Sequence, residues 1–286
     1  MISLILSILC SAFIFIAFKY IENFKINTFF TIIINYIVAT TLGLSLSSST
    51  NILNPEIYTS EIIIVSIISG ILFIAMFSSI ALSTQKVGIT ITSIAGKMSV
   101  VFPIIFSILY FHENVTFLKI LAIIMALMSI ILTVYKKGNS DYNRLIYPLI
   151  IFIGIGILDS LMKYAQGIFI NDENLPLFTA LCFGIAGTIG LLISIFKRNF
   201  INHLKDYRTY LAGIILGLLN YGSMYFLIKA LNDSSFASSI TFGLNNLGIV
   251  SFSVIAGLIL FKEKLSFINW IGIVLSLISI ILLTKL

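Results

Sequence analysis

Three polar side chains interrupt an apolar run in the first half of the sequence. Thr90, Ser93 and Lys97 are spaced i, i+3 and i+7, so a helix would present them on one face. On that face the Lys97 ammonium could attract a carboxylate or phosphate of a substrate, with the hydroxyls as further hydrogen-bonding groups. The alternative is structural, with Lys97 as a counter-ion and hydroxyls that bond to their own helix.

A second polar stripe with the same spacing lies in the second half of the sequence. It consists of Ser238, Thr241 and Asn245, and Asn246 follows directly. We expect the two stripes to line a central cavity, because polar groups inside a spanning helix face the protein interior or water rather than lipid. The stripes are similar in design but not strictly equivalent, since they are not separated by the repeat offset described below.

An acid and a base lie four residues apart in another apolar run. Asp159 and Lys163 could pair on one helix at this spacing. Within lipid, the Asp159 carboxylate could bind and release a proton and so couple transport to a gradient, with Lys163 contributing to coupling or gating. Alternatively the two form a permanent salt bridge, or Lys163 extends to the membrane interface.

Aromatic and amide side chains form a further candidate. Tyr221, Tyr225 and Lys229 follow one another at intervals of one helical turn, and Asn220 precedes the first. Rings and hydroxyls in this pattern could frame a substrate pocket, with Asn220 as a polar contact. The same pattern is also typical of packing or of an interfacial aromatic belt.

The composition explains why these polar residues stand out. Of 286 residues, 59% are hydrophobic and 10% are charged, and the mean hydropathy is +1.13, whereas soluble domains contain about 25% charged residues. Lipid is therefore the main solvent, where only helices or closed barrels satisfy the backbone. Apolar runs of about 20 residues without alternation favour helices. We predict an all-α integral membrane protein with ten transmembrane segments, at 2–18, 28–46, 61–83, 88–111, 116–135, 145–163, 176–196, 209–230, 235–261 and 266–284.

The net charge of +6 comes mainly from loops between the apolar runs. The most basic loops, Lys136–Arg144 and Lys197–Arg208, follow segments of odd number. The positive-inside rule places such loops in the cytoplasm, and hence both termini on the outer side of a multi-pass protein in the cell inner membrane. This distribution also argues against nucleic acid as a partner.

The sequence lacks the motifs of several enzyme classes. It contains no Gly-rich Walker loop, no G-x-S-x-G and no metal-type cluster of His, Cys and acids. Cys10 and Cys182 both lie in apolar runs, where we expect them to pack as small side chains. We therefore expect neither cofactor nor metal, and no enzymatic activity.

The strongest pattern is an internal duplication. The stretch from Phe111 to Lys136 matches the stretch from Phe261 to Leu286 at an offset of 150 positions. The paired residues are Phe111 with Phe261, Glu113 with Glu263, Thr116 with Ser266, and Phe117 with Phe267. We infer two five-helix repeats, 1–137 and 144–286, which together form one transport domain. Because five is odd, the second copy would cross the membrane in the opposite sense.

The two glutamates of the repeat lie in turns before a closing helix. Glu113 precedes Thr116, and Glu263 precedes Ser266, both of which suit helix N-caps. Negative charge at that place suits the positive end of the dipole of the following helix. We therefore expect a structural role for both glutamates.

Five plus five helices, with a glutamate in a short loop before each closing helix, resemble the EamA-type members of the drug/metabolite transporter superfamily. Members of that family often have a proline about 13 residues before the glutamate, where this chain has Val100 and Val250, with Pro103 in the first half only. We expect a secondary transporter that works by alternating access of its two repeats, and a substrate carboxylate near Lys97 suggests an amino acid or a related organic solute. The resemblance favours export over import. It also implies termini in the cytoplasm, against the charge count.

Two other functions remain open from the sequence. The chain could exchange protons for lipophilic cations, which requires a deep acid such as Asp159, although Lys97 would repel the cation. It could also be a membrane-embedded sensor. The expected partners are a small-molecule substrate, the lipid bilayer and protons, and the chain would act as a monomer or homodimer.

Overall fold

The computed structural model describes residues 2–47, 58–112, 115–135, 142–170, 174–196, 206–233 and 238–284. The regular elements in these ranges are α-helices. They are α1 (Ile2–Asn23), α2 (Thr28–Leu46), α3 (Ser60–Lys86), α4 (Ile89–Met98), α5 (Val101–Tyr110), α6 (Phe117–Val134), α7 (Tyr142–Ile168), α8 (Leu175–Ile195), α9 (Tyr207–Asp233), α10 (Ser238–Leu260) and α11 (Phe267–Thr284).

Each predicted segment contains helix, and the fourth contains both α4 and α5. Within the described residues, nine helical stretches are long and apolar enough to cross a membrane, and Phe267–Leu283 is a shorter apolar tenth. The regular structure of the described residues is therefore helical, and its length and composition fit a multi-pass membrane protein. Several helices extend beyond the predicted membrane segments: α1 continues past residue 18 to Asn23, and α7 continues past residue 163 to Ile168. Helix can continue past Lys19 and Lys163 because a lysine side chain can extend along the helix to the membrane interface.

The fourth segment is interrupted at Ser99 and Val100, between α4 and α5. Pro103 explains the break, because it has no N–H to donate to the Ser99 carbonyl and its ring crowds that carbonyl. The Phe102 N–H donates to the Ser99 carbonyl instead, at 2.9 Å. The Ser99 hydroxyl donates to the Gly96 carbonyl at 2.6 Å. The hydrogen bond from Phe102 to Ser99 thus joins residues three apart instead of four, so the helix is locally tighter inside the span.

The helices belong to two compact units. The first unit consists of Met1–Lys19, Ser79–Gly156 and Gly222–Leu286, and the second of Tyr20–Ser78 and Ile157–Tyr221. Each unit takes segments from both halves of the sequence. The repeats 1–137 and 144–286 are sequence copies rather than compact units, so their boundaries stay a prediction.

In the first unit α6 and α11 pack against each other as antiparallel helices through small side chains. A Cβ atom on Gly272 would lie 2.9 Å from the Ser129 carbonyl oxygen, and the Ser279 hydroxyl donates to the Ala122 carbonyl at 2.8 Å. A shift by the offset of 150 exchanges Ser129 with Ser279 and Ala122 with Gly272. One contact therefore becomes the other when the copies are exchanged, as in a twofold-symmetric interface.

The local geometry of the two copies is also the same. His112 and Lys262 follow α5 and α10 with φ of 54° and 52°, both in the left-handed region. Thr116 accepts a hydrogen bond from the Lys119 N–H at 3.2 Å, and Ser266 accepts one from the Asn269 N–H at 3.3 Å. The predicted N-caps are confirmed.

Apolar side chains of α4, α5, α6, α7, α10 and α11 form the main core of the first unit. Ile94, Met98, Val101, Val250 and Val254 are buried in it. Close approach requires small residues here: a Cβ on Gly156 would lie 2.2 Å from the Phe102 ring. This core fixes α4 and α10 relative to each other, which matters for the polar stripes.

The second unit is organised around the contact between α2 and α8. The ring of Tyr36 is fully buried, its hydroxyl donates to the Phe73 carbonyl at 2.8 Å, and it lies 5.7 Å from the Phe183 ring. A Cβ on Gly187 would lie 3.3 Å from the Tyr36 Cβ. Cys182 is buried in the neighbouring cluster with Phe178, which agrees with its predicted packing role.

Candidate functional site

Helices α4 and α10 pack against each other in the first unit. A Cβ on Gly257 would lie 2.8 Å from the Thr90 hydroxyl, so the carboxyl end of α10 lies beside the amino end of α4. Further along, Val250 and Val254 share a core cluster with Ile94 and Met98. The helices are therefore antiparallel, and the level of Lys97 is close to that of Val250.

The polar stripes follow this helix pair. Thr90 and Ser93 on α4 are fully buried, and Thr241 and Asn245 on α10 are nearly so. The Ser93 hydroxyl donates to the Thr90 carbonyl at 3.0 Å, which is the structural alternative for this residue. Asn246 is half-buried. The side chain of Ser238 lies outside the described residues, so its place in the stripe stays a prediction.

Three buried oxygens of this helix pair have no hydrogen-bond partner within the part of the chain that the structure describes. They are Thr90 Oγ1, Asn245 Oδ1 and Ser253 Oγ. Buried polar atoms are almost always satisfied in proteins, so such a group indicates a bound water or ligand. Ser253 lies one turn before Gly257 on α10 and was not among the residues predicted from the sequence.

Lys97 lies in the last turn of α4, directly before the break at Ser99, and it is half-buried. The carboxyl end of a helix has a partial negative charge, which stabilises an ammonium group. Ser99 and Val100 keep helical backbone angles, so Ile89–Tyr110 is one span whose hydrogen bonding tightens beside Lys97. Of the predicted residues, Lys97 therefore has the position best suited to meet a charged solute.

The predicted tyrosine stripe has no uniform environment. Tyr221 is 9% exposed and belongs to the second unit, where it packs beside Gly43. Tyr225 belongs to the first unit, is 42% exposed and lies in edge contact with the Phe226 ring at 5.4 Å. Lys229 is exposed. A shared pocket of these residues stays a prediction.

Asn220 has a defined partner in the second unit. The side-chain amides of Asn220 and Asn35 lie 3.2 Å apart, and Asn35 is fully buried on α2. A Cβ on Gly217 would lie 2.9 Å from the Asn35 carbonyl oxygen, so α9 approaches α2 closely. Paired amides of this kind hold membrane helices together. This contact gives Asn35 and Asn220 a structural role, and the substrate contact of Asn220 stays a prediction.

Asp159 and Lys163 both lie on α7 in the second unit. The Asp159 carboxylate is half-buried and Lys163 is exposed. Their predicted roles in coupling and gating are not tested by this arrangement.

The turn between α3 and α4 is a further polar centre of the first unit. Gly88 there has φ of 122°, a conformation that side chains disfavour. The Thr92 hydroxyl donates to the Gly88 carbonyl at 2.6 Å and lies 2.7 Å from the Ser83 hydroxyl. These bonds fix the direction in which α4 begins.

Glu263 reaches this turn from the loop between α10 and α11. Its carboxylate accepts hydrogen bonds from the Ile89 N–H at 2.5 Å and the Thr90 N–H at 3.2 Å. Glu263 therefore stabilises the amino end of a helix, as predicted, but this helix is α4 and not the following α11. Sequence reasoning missed this because the partners are 174 residues apart. Glu113 lies outside the described residues.

The fold and these positions define a class of protein: a multi-pass membrane protein with two sequence copies and a lysine inside one span, beside a tightened turn of the helix. The model of the EamA-like transporter family matches residues 1–135 and 145–285. The chain therefore belongs to the EamA-like transporter family, whose members are membrane transporters of small solutes. It is also similar to a protein of Haemophilus influenzae (strain ATCC 51907 / DSM 11121 / KW20 / Rd) named "Uncharacterized protein", with 28% identity over 97% of this chain and 96% of that protein.

Proposed function

We propose that this chain is a secondary carrier that exports a small organic solute with a carboxylate, such as an amino acid or a related acid, across the cell inner membrane. The observation that carries this proposal is the position of Lys97, half-buried in the last turn of α4 within the membrane span Ile89–Tyr110. A cation inside a span costs about 2.5–3.5 kcal/mol on insertion scales, so its retention there favours a use.

Polar groups on α10 also support a polar solute. Asn245 Oδ1 and Ser253 Oγ on α10 are buried acceptors without a partner among the described residues. An ammonium or hydroxyl of a solute could donate to such acceptors, while its carboxylate accepts from Lys97. Ser93, Thr241 and Asn246 complete the set of side chains that we assign to the binding face in the first unit.

The mechanism we propose is alternating access by two inverted repeats, 1–137 and 144–286, acting as one transport domain. The antiparallel contact of α6 with α11 supports the inversion, because its two halves exchange when the copies exchange. Inverted copies supply two similar gates around one site, so one substrate can be exposed to either side in turn.

A counterflow experiment tests the carrier and the role of Lys97 together. Proteoliposomes loaded with unlabelled amino acids should accumulate the labelled compound, and the single variant Lys97→Gln should reduce the initial rate at least about tenfold. Lys264→Gln, which removes an exposed lysine from the loop between α10 and α11, should leave the rate unchanged. If no amino acid or small organic acid gives counterflow in the unaltered protein, the proposed substrate class is wrong.

A further inference from the structure

The turn between α3 and α4 is held by opposite charges from two distant parts of the first unit. The Lys19 ammonium donates to the Gln85 carbonyl at 2.7 Å, at the carboxyl end of α3. The Glu263 carboxylate accepts from the first amides of α4, as described above. Each charge lies at the helix end whose partial charge has the opposite sign, so both contacts are favourable.

The approach of Glu263 depends on two glycines. A Cβ on Gly88 would lie 2.6 Å from Glu263 Oε1, and one on Gly257 would lie 2.5 Å from Oε2. The Glu263 N–H also donates to the Gly257 carbonyl at 2.9 Å, which folds the loop after α10 back onto the helix. The carboxylate therefore occupies a fitted space between the amino end of α4 and the carboxyl end of α10.

Thr90 gives an independent indication that this space can change its occupant. Its hydroxyl is fully buried and has no hydrogen-bond partner among the described residues. It lies beside the same face of Gly257 as Glu263 Oε2, at 2.8 Å from the position of a Cβ there. An available donor thus remains next to a carboxylate that already accepts from two amides. Water or an anion could use that donor once the carboxylate withdraws.

We propose that Glu263 is a displaceable latch: its carboxylate closes this end of the α4–α10 contact, and its release exposes the first turn of α4 to water. The inference rests on the proposed carrier function, since a carrier needs a closure on each side of its site that opens once per cycle. The polar contact is suited to this use because it consists of two hydrogen bonds between a loop carboxylate and a helix end. The apolar cluster of Ile89, Ala256 and Phe261 beside it does not depend on the carboxylate.

Cysteine labelling at position 90 tests the latch without any substrate. A Thr90→Cys variant, made with Cys10→Ala and Cys182→Ala, would be exposed to a membrane-impermeant thiol reagent. Loss of a charge-assisted contact changes an equilibrium by about tenfold or more. We therefore expect Glu263→Ala to speed labelling about tenfold, Glu263→Gln to have an intermediate effect because one acceptor oxygen remains, and the exposed-loop control Lys264→Gln to have none.

Acetate supplies a second measurement on the same variants. A free carboxylate can enter the space left by Glu263→Ala and accept from the Ile89 and Thr90 amides. Acetate should therefore slow labelling in Glu263→Ala towards the rate of the unaltered protein, and should have no effect in Lys264→Gln. Chloride at the same ionic strength separates this rescue from charge screening.

Equal labelling rates in the Glu263→Gln variant, the Glu263→Ala variant and the protein with Glu263 intact would overturn the latch. Glu263 would then be only a static cap of α4, even if the variants melted at lower temperature. If Glu263→Ala did not fold, Glu263→Gln would give the same comparison. Failure of the carrier proposal would look different: counterflow would be absent from the unaltered protein, whatever the labelling rates. Counterflow with unchanged labelling would remove only the latch.

Discussion

The side-chain amide of Asn269 on α11 holds the carboxyl end of α6, where its Nδ2 donates to the Thr133 carbonyl at 2.7 Å. The same nitrogen lies 3.2 Å from the Leu132 carbonyl and 2.9 Å from the Tyr135 carbonyl. Its oxygen accepts from the Ser266 N–H at 2.8 Å. One buried side chain thus satisfies the end of one helix and the beginning of another, where backbone groups have no partner within their own helix.

We predict that Asn269→Ala lowers the free energy of unfolding by about 1–3 kcal/mol, because several buried carbonyls lose their donor. Asn269→Asp should be at least as destabilising, since it keeps the acceptor but places negative charge against carbonyl oxygens. Unfolding midpoints in mild detergent would measure both. The control is Lys119→Ala, which changes the corresponding position of the first copy. Equal stability of Asn269→Ala and the unaltered protein would contradict the assigned role.

Pro103 gives a prediction about function rather than stability. Pro103→Ala restores the missing N–H, so α4 and α5 can join into one continuous helix. We expect counterflow to fall several-fold while thermal stability stays the same or rises, because the tightened hydrogen bonding beside Lys97 would be replaced by regular helix. Pro148→Ala, which removes a proline within α7, is the matched control and should retain transport. Full counterflow in Pro103→Ala would show that the break is dispensable.

Asp159 separates solute export from exchange of protons for lipophilic cations. If its carboxylate carries the coupling proton, Asp159→Asn should abolish accumulation driven by a pH gradient and leave gradient-independent counterflow intact. The neighbouring variant Lys163→Gln should reduce both rates if Lys163 acts in gating. Proton release induced by a cation such as a quaternary amine, lost in Asp159→Asn and kept in Lys97→Gln, would favour the cation exchanger instead.

Local features of the fold could be predicted from the sequence because they depend on neighbouring residues. Apolar length gave the spans, and the N-caps Thr116 and Ser266 followed from residue type and position. The offset of 150 gave the duplication, which the shared left-handed φ of His112 and Lys262 supports. The helix ends near Lys19 and Lys163 were harder to predict, since a lysine at a membrane interface does not stop a helix.

The long-range polar contacts could not be predicted in the same way. Nothing in the residues around Glu263 identifies the amino end of α4 as its partner, and Asn35 gave no sign of pairing with Asn220. Such contacts arise only when helices distant in sequence are packed. Lys97 could be singled out because charge in an apolar run is costly wherever the helix lies.

The reciprocal seam of α6 and α11 restricts how the two copies can diverge. A larger side chain at Gly272 must be accommodated beside Ser129, and one at Ala122 beside Ser279, so small residues are required on both sides. The span that contains Lys97 is not held to the same residues in both copies: at the offset of 150, Leu247 stands where the first copy has Lys97. Symmetry is thus imposed on the joint between the copies, whereas the charge that would meet a solute belongs to one copy alone.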